Sequence, residues 1–120
     1  MIRPILLLIA ATLSALTLSA QDSKPHAVTV TGRVIDTGCY MVHDGSGPEH
    51  EKCARVCAKK GIPLAIVDDT GKVWMPLGAD HRNPNTQLMP FIEKNVKVTA
   101  TEFNRGGLTG IAIKTIELAK

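Results

Sequence analysis

"NPNTQLMPFIEKNVKVTATEF", residues 83–103, decides the fold because the period of its pattern changes midway. Its first half offers Asn83 as a helix cap and Pro84 in a first turn, and Pro90 interrupts the run after them. A short or broken helix is the expectation. From Val96 onward apolar and polar residues alternate, the period of two that marks a half-buried strand. "NRGG" (104–107) then turns the chain, and "LTGIAIKTIEL" (108–118) is rich in β-branched residues, so the two runs pair as a hairpin. The apolar phase changes between Ile113 and Ile116, which predicts a bulge.

Upstream, "PLAIVDDTGKVWMPL" (63–77) has two short apolar runs around Asp69, Thr70 and Gly71, the signature of another β-hairpin. "AVTVTGRVID" (27–36) alternates Val28, Val30 and Val34 with polar residues and reads as the first strand. The glycines, Pro48 and short polar residues of "TGCYMVHDGSGPEH" (37–50) read as a loop. A helix over 48–60 comes next. Ser46 stands three residues before Glu49 as in a capping box, Pro48 lies in the first turn, Lys59 and Lys60 in the last, and Gly61 and Pro63 stop it. The order is strand, inserted helix, two strands, short second helix, two strands. That is a mainly β chain with one inserted helix, a small five-stranded OB-like barrel with a short second helix between strands 3 and 4. A five-stranded sandwich is the alternative.

Residues 1–20, "MIRPILLLIAATLSALTLSA", carry Arg3, an apolar run and small residues ending at Ala20, the pattern of a cleaved secretory signal peptide. The run from Ile5 to Leu18 is short of the about 20 apolar residues a spanning helix needs. The expectation is a periplasmic or secreted chain, cut after Ala20, with residues 21–120 as one domain and no stable membrane anchor after cleavage. A domain of about 100 residues buries only somewhat more than about 60% of its unfolded surface, so additional staples help it. Removing Arg3 from the 14 basic side chains leaves 13 against 11 acidic ones, with no run of like charge. Together with only four aromatic residues (Tyr40, Trp74, Phe91, Phe103), this argues against nucleic acid as a partner.

Export makes the cysteine count informative. Oxidising compartments favour even numbers, because thiols end as disulfides, and this chain has three, Cys39, Cys53 and Cys57. At least one is a free thiol, a metal ligand or an intermolecular bridge. At 100° per residue His50, Cys53, Ala54 and Cys57 share one stripe of the 48–60 helix, which lacks a large apolar residue. Small groups stabilise weakly beside the roughly 1.5–3 kcal/mol of a buried large side chain, so something else must hold this helix. Cys39, just past the first strand, is the natural partner. Cys39, His50, Cys53 and Cys57 then form a Cys₃His set suited to zinc, with thiolates equally suited to copper(I). Zinc binding to finger peptides releases about 10–16 kcal/mol, ample to hold a helix.

Rival readings use the same residues. Cys39 bonded to Cys53 or Cys57 would close a loop worth about 3 kcal/mol and leave a spare thiol, giving a disulfide-stapled module that binds an unknown protein or small ligand. Cys53 and Cys57 do not suit each other: helical positions four apart hold Cβ atoms about 5–6 Å from one another, and a disulfide wants about 3.5–4.5 Å. A periplasmic thiol redox protein is the third reading. It is weakened because neither helical cysteine lies in the first turn, where the helix end favours a thiolate. No C-x-x-C-H for haem occurs, and no serine, cysteine or carboxylate constellation indicates catalysis. Asp36 and His43 are candidates for a supporting shell around the ligands, although Asp36 also suits a cap for the turn at Thr37 and Gly38. His81 beside Asp80 reads as part of a polar loop, and Trp74 as packing in the hairpin.

The stretches "DTGCY" (36–40), "HEKCARVC" (50–57), "KKGIPLAIVDDTGKVW" (59–74) and "NVKVTATEF" (95–103) together resemble a group of small exported bacterial proteins of unknown function. These share a D-x-x-C, H-x-x-C-x-x-x-C pattern within an OB-like strand order. The similarity runs from about Val28 to Glu117. It implies a shared site at Asp36, Cys39, His50, Cys53 and Cys57, with no nameable activity.

Overall fold

The structure, a computed structural model, describes residues 22–120. The signal-peptide reading of residues 1–20 lies outside the described residues. Five strands close into a barrel: β1 (Ser23–Asp36), β2 (Leu64–Asp68), β3 (Val73–Pro76), β4 (Asn95–Arg105) and β5 (Leu108–Leu118), in the spatial order β1-β2-β3-β5-β4. Every pairing is antiparallel except β3 with β5. This is the OB-like barrel that the order of elements predicts, and closure leaves no long edge strand exposed.

β1 makes closure possible by serving two neighbours. Its first part pairs with β4, its last part with β2, and the exchange is centred on Gly32, which faces both Asp68 and Val96. Glycine is required there. A Cβ at Gly32 would stand 2.3 Å from the Val67 carbonyl oxygen. Gly110 has a similar duty at the short β3–β5 contact, where a Cβ would meet the Leu77 side chain at 2.5 Å.

The β4–β5 hairpin turns on Gly106 and Gly107 alone, both at positive φ (59° and 80°), between the paired residues Arg105 and Leu108. Two left-handed residues match the right-handed strand twist, the usual reason for glycine in a two-residue hairpin loop. The predicted bulge is present. Thr99 pairs with Thr115 and Ala100 with Ile113, so Lys114 is the extra residue and the apolar phase changes across it.

Val34, Ile66, Val96, Val98 and Ile111 are fully buried inside the barrel. Leu88 and Ile92 join them from the segment between β3 and β4. That segment is a single turn of helix, α3 (Asn85–Leu88), followed by a 3₁₀ turn at Met89–Phe91 around Pro90. It is the short, broken helix expected, and Asn83 Oδ1 accepts from the Asn85 N–H at 2.9 Å.

Two boundaries differ from expectation. β1 begins at Ser23 because its early residues continue the ladder with β4, Ser23 opposite Asn104 and His26 opposite Glu102. Between β1 and the inserted helix the chain is only partly a loop. Thr37–His43 form a helix, α1, because Asp36 caps it. The inserted helix itself is a 3₁₀ turn at Pro48–His50 running into α2 (Glu51–Lys59). It ends as the glycine predicts: Gly61 takes φ 95°, the Ile62 N–H reaches the Cys57 carbonyl and the Gly61 N–H the Ala58 carbonyl. This is a Schellman closure.

Candidate metal centre

Three chain segments meet at the mouth of the barrel beside α1 and α2. Asp36, the last residue of β1, begins the arrangement. Its Oδ1 accepts from the N–H groups of Gly38 (2.8 Å) and Cys39 (3.4 Å), satisfying two of the donors that every helix start leaves open. Cys39 therefore sits in the first turn of α1, tied to the strand end. The Thr37 N–H and hydroxyl both donate to the Pro63 carbonyl (3.1 and 2.8 Å), which binds the start of α1 to the exit of α2.

The loop then doubles back to bring in His50. Asp44 takes a left-handed conformation (φ 53°), and the Gly45 N–H closes on the Cys39 carbonyl at 3.0 Å. A Cβ at Gly45 would lie 3.2 Å from His50 Cε1 and 3.3 Å from Cys39 Cβ, so the bare backbone lets the imidazole approach the cysteine. The capping box expected of Ser46 and Glu49 does not form; no side chain of this segment caps the 3₁₀ turn. Glu93, held beside β1 by its own N–H on the Val34 carbonyl at 2.8 Å, supplies the acceptor instead, taking the Gly47 N–H at 2.8 Å.

On α2 the helical stripe divides. Ala54 and Ala58 enter the core, and the cysteines fall to one side of them, Cys53 exposed and Cys57 half-buried. Asn85 secures the end of this helix. Its amide donates to the Ala58 and Ile62 carbonyls (3.3 and 2.9 Å), and its oxygen accepts from the Leu64 N–H at 2.8 Å.

The four predicted ligands are thereby gathered into one cluster made of two overlapping triads. In the outer triad, ligand atoms of Cys39, His50 and Cys53 all lie within 4.8 Å of one another. In the inner triad the same holds for Asp36, Cys39 and Cys57. Cys39 belongs to both. Ligand bonds of about 2.0–2.3 Å in a tetrahedron place donor atoms about 3.3–3.8 Å apart, so small side-chain rotations suffice to grip an ion. The cluster can hold a metal ion. His43 ends α1, exposed, and is in neither triad, and Met41 also points to solvent.

Two atoms of the cluster stand out. Asp36 is fully buried, and its Oδ2 takes no N–H or hydroxyl hydrogen bond, so only the neighbouring thiols face it and they cease to be donors once ionised; the buried Nε2 of His50 has no partner. Buried polar atoms left unpaired cost about 1–3 kcal/mol each. Coordination to a cation is the chemistry that satisfies a carboxylate oxygen and an imidazole nitrogen beside thiols, so these residues fit a metal. All three cysteines are unbonded. The Asp36 carboxylate, an acceptor usable only by a protonated thiol, is the main cause that pushes Cys39 up to about 12, and burial adds to it. Burial first, then Asp36, raises Cys57 as well. These thiols do not ionise readily on their own; a cation must displace their protons.

Elsewhere, His81 and Asp80 do not act on each other. Asp80 pairs with Arg82, and its carboxyl is held below its usual range by that guanidinium. Trp74 is half-buried in the hairpin, as expected, and its Nε1–H donates to Asp68 Oδ2 at 2.9 Å. Glu93 and Asn85 were not legible as parts of this region, since nothing in their local sequence distinguishes them from loop residues. Comparison with protein-family models, curated proteins and solved structures gave no match.

Proposed function

We propose that this chain is an exported protein that binds zinc or copper through Cys39, His50, Cys53 and Cys57, for structure or for metal handling. The observation that carries the reading is the meeting of donors from β1–α1, the 3₁₀ turn and α2, with a buried, unpartnered imidazole nitrogen among them. The energetics of α2 agree. The helix buries only Ala54 and Ala58, a small contribution at about 0.8 kcal/mol per buried methylene-sized group. An ion gripped by both α1 and α2 would brace them against the barrel. The bound cation supplies charge neutralisation to the thiolates; orienting the donors falls to Asp36 through its cap, Gly45 through its lack of a side chain, and Glu93 through Gly47. Export rests on the character of residues 1–20.

Metal content and free thiols measured together on purified protein test this. Stoichiometric metal that is reduced or lost in His50→Ala is the expected result. No metal, with one free thiol per chain, would overturn it. That outcome would favour the second reading, a disulfide-stapled module whose surface meets a protein or small ligand, for which the closeness of Cys39 to the exposed Cys53 is the supporting observation.

A further inference from the structure

Two triads with one shared thiol pose a question that a single four-ligand site does not answer: what is the inner one for? A lone ion held by Cys39, His50, Cys53 and Cys57 would leave Asp36 beside it, fully buried, with Oδ2 unsatisfied. Asp36 Oδ1 is already committed to the Gly38 and Cys39 N–H groups, so the cap explains one oxygen and not the other. Each triad contains one orphaned buried atom, Asp36 Oδ2 in the inner and His50 Nε2 in the outer. Each also contains one cysteine of its own, Cys57 or Cys53, besides the shared Cys39.

From this pairing we infer that the cluster is a two-position metal centre, in which the Cys39 thiolate bridges an inner ion held by Asp36 and Cys57 and an outer ion held by His50 and Cys53. The inference rests on the metal-binding reading above and deepens it. Charge supports it. Three thiolates and one carboxylate carry four negative charges, which two divalent cations balance; a single ion leaves two uncompensated, and that is costly where Asp36 is sealed and Cys39 and Cys57 are half-buried. The thiols give up three protons as the ions bind, and no oxidation or reduction takes place. Exposure sets the order of access: Cys53 is open to solvent, while Asp36 is sealed, so ions enter at the outer position.

Titration of the purified full chain with zinc, read by elemental analysis, and with cobalt(II), read by electron paramagnetic resonance, decides the matter. The wild type should hold two ions per chain, and Asp36→Asn and Cys57→Ser should each hold one. Asparagine caps helices as well as aspartate, so Asp36→Asn removes the inner ligand charge without removing the cap; circular dichroism confirms that α1 and the barrel persist. Cys53→Ser should also hold one, and Cys39→Ser none. The second equivalent of cobalt should diminish the resonance of the first, because ions sharing a thiolate couple magnetically. One ion in the wild type, lost in His50→Ala and retained in Asp36→Asn, would overturn the two-position centre while upholding metal binding. Two ions with undiminished cobalt resonance would overturn the bridge. No ion at all would overturn both readings.

Discussion

At the residue scale, single polar side chains organise the turns that shape this protein. Asp68 ends β2, and its Oδ1 accepts from the Thr70 N–H and hydroxyl (2.9 and 2.6 Å) and the Lys72 N–H (3.0 Å), while Oδ2 takes the Trp74 indole N–H. These bonds, led by the Thr70 hydroxyl and Trp74, lower the carboxyl from 3.8 to about 2. A folded-state value below the unfolded one means that the stabilisation is present above pH 3.8 and is lost as pH falls through about 2. Acid titration followed by Trp74 fluorescence should therefore show a transition in that window, and Asp68→Asn should flatten it. Asn85 is the other case. Asn85→Ala removes three hydrogen bonds and strands the buried Leu64 N–H, an expected loss of about 1–3 kcal/mol. Urea unfolding with an unchanged m value would register it as stability and not as a change in the denatured state.

At the scale of elements, glycines separate backbone strain from steric closure. Gly61 ends α2 at φ 95° with nothing within 4 Å of an added Cβ. Gly61→Ala should therefore cost only the left-handed penalty of about 1–2 kcal/mol, seen as a modest drop in melting temperature. Gly32→Ala meets the Val67 backbone at 2.3 Å, which side-chain rotation cannot relieve. It should exceed the Gly61 effect by several-fold and fail to give a folded barrel at growth temperature, as soluble yield and circular dichroism would report. The helix α2 was legible in outline, because Pro48, Gly61 and Pro63 act locally. The helix α1 was not. "TGCYMVH" carries β-branched residues and a glycine with weak helix propensity, and it is helical because Asp36 caps it and Thr37 is fastened to Pro63, a residue 26 positions away.

For the whole molecule, the barrel core and the cluster share little: Asp36, the end of β1, is the one member of the two triads that lies in a strand. Val34, Ile66, Leu88, Ile92, Val96, Val98 and Ile111 are fully buried without any contribution from the thiols. Removing metal with a chelator should thus leave the barrel's far-ultraviolet circular dichroism nearly intact, lower the melting temperature, and raise amide exchange in Thr37–His43 and Glu51–Lys59 first. Simultaneous loss of the strands would show that the ion is part of the barrel's own stability. Readdition of zinc at 100 times its dissociation constant should restore about 2.7 kcal/mol.

The strands, their order, the β4–β5 bulge and the end of α2 could be read from the sequence by itself, since alternation, proline and glycine act over a few residues and do not depend on distant partners. The residues of the cluster were visible too, because thiols and imidazole are scarce and their helical spacing is a local property. Tertiary structure alone decided the division into two triads around Cys39, the burial of Asp36 with one oxygen unpaired, and the parts of Glu93 and Asn85 in holding the loop and the helix end. Those depend on where barrel closure brings segments 46 and 23 residues apart in the chain. A linear pattern records which donors exist, whereas the distances between them are set by the packing of the strands that carry them.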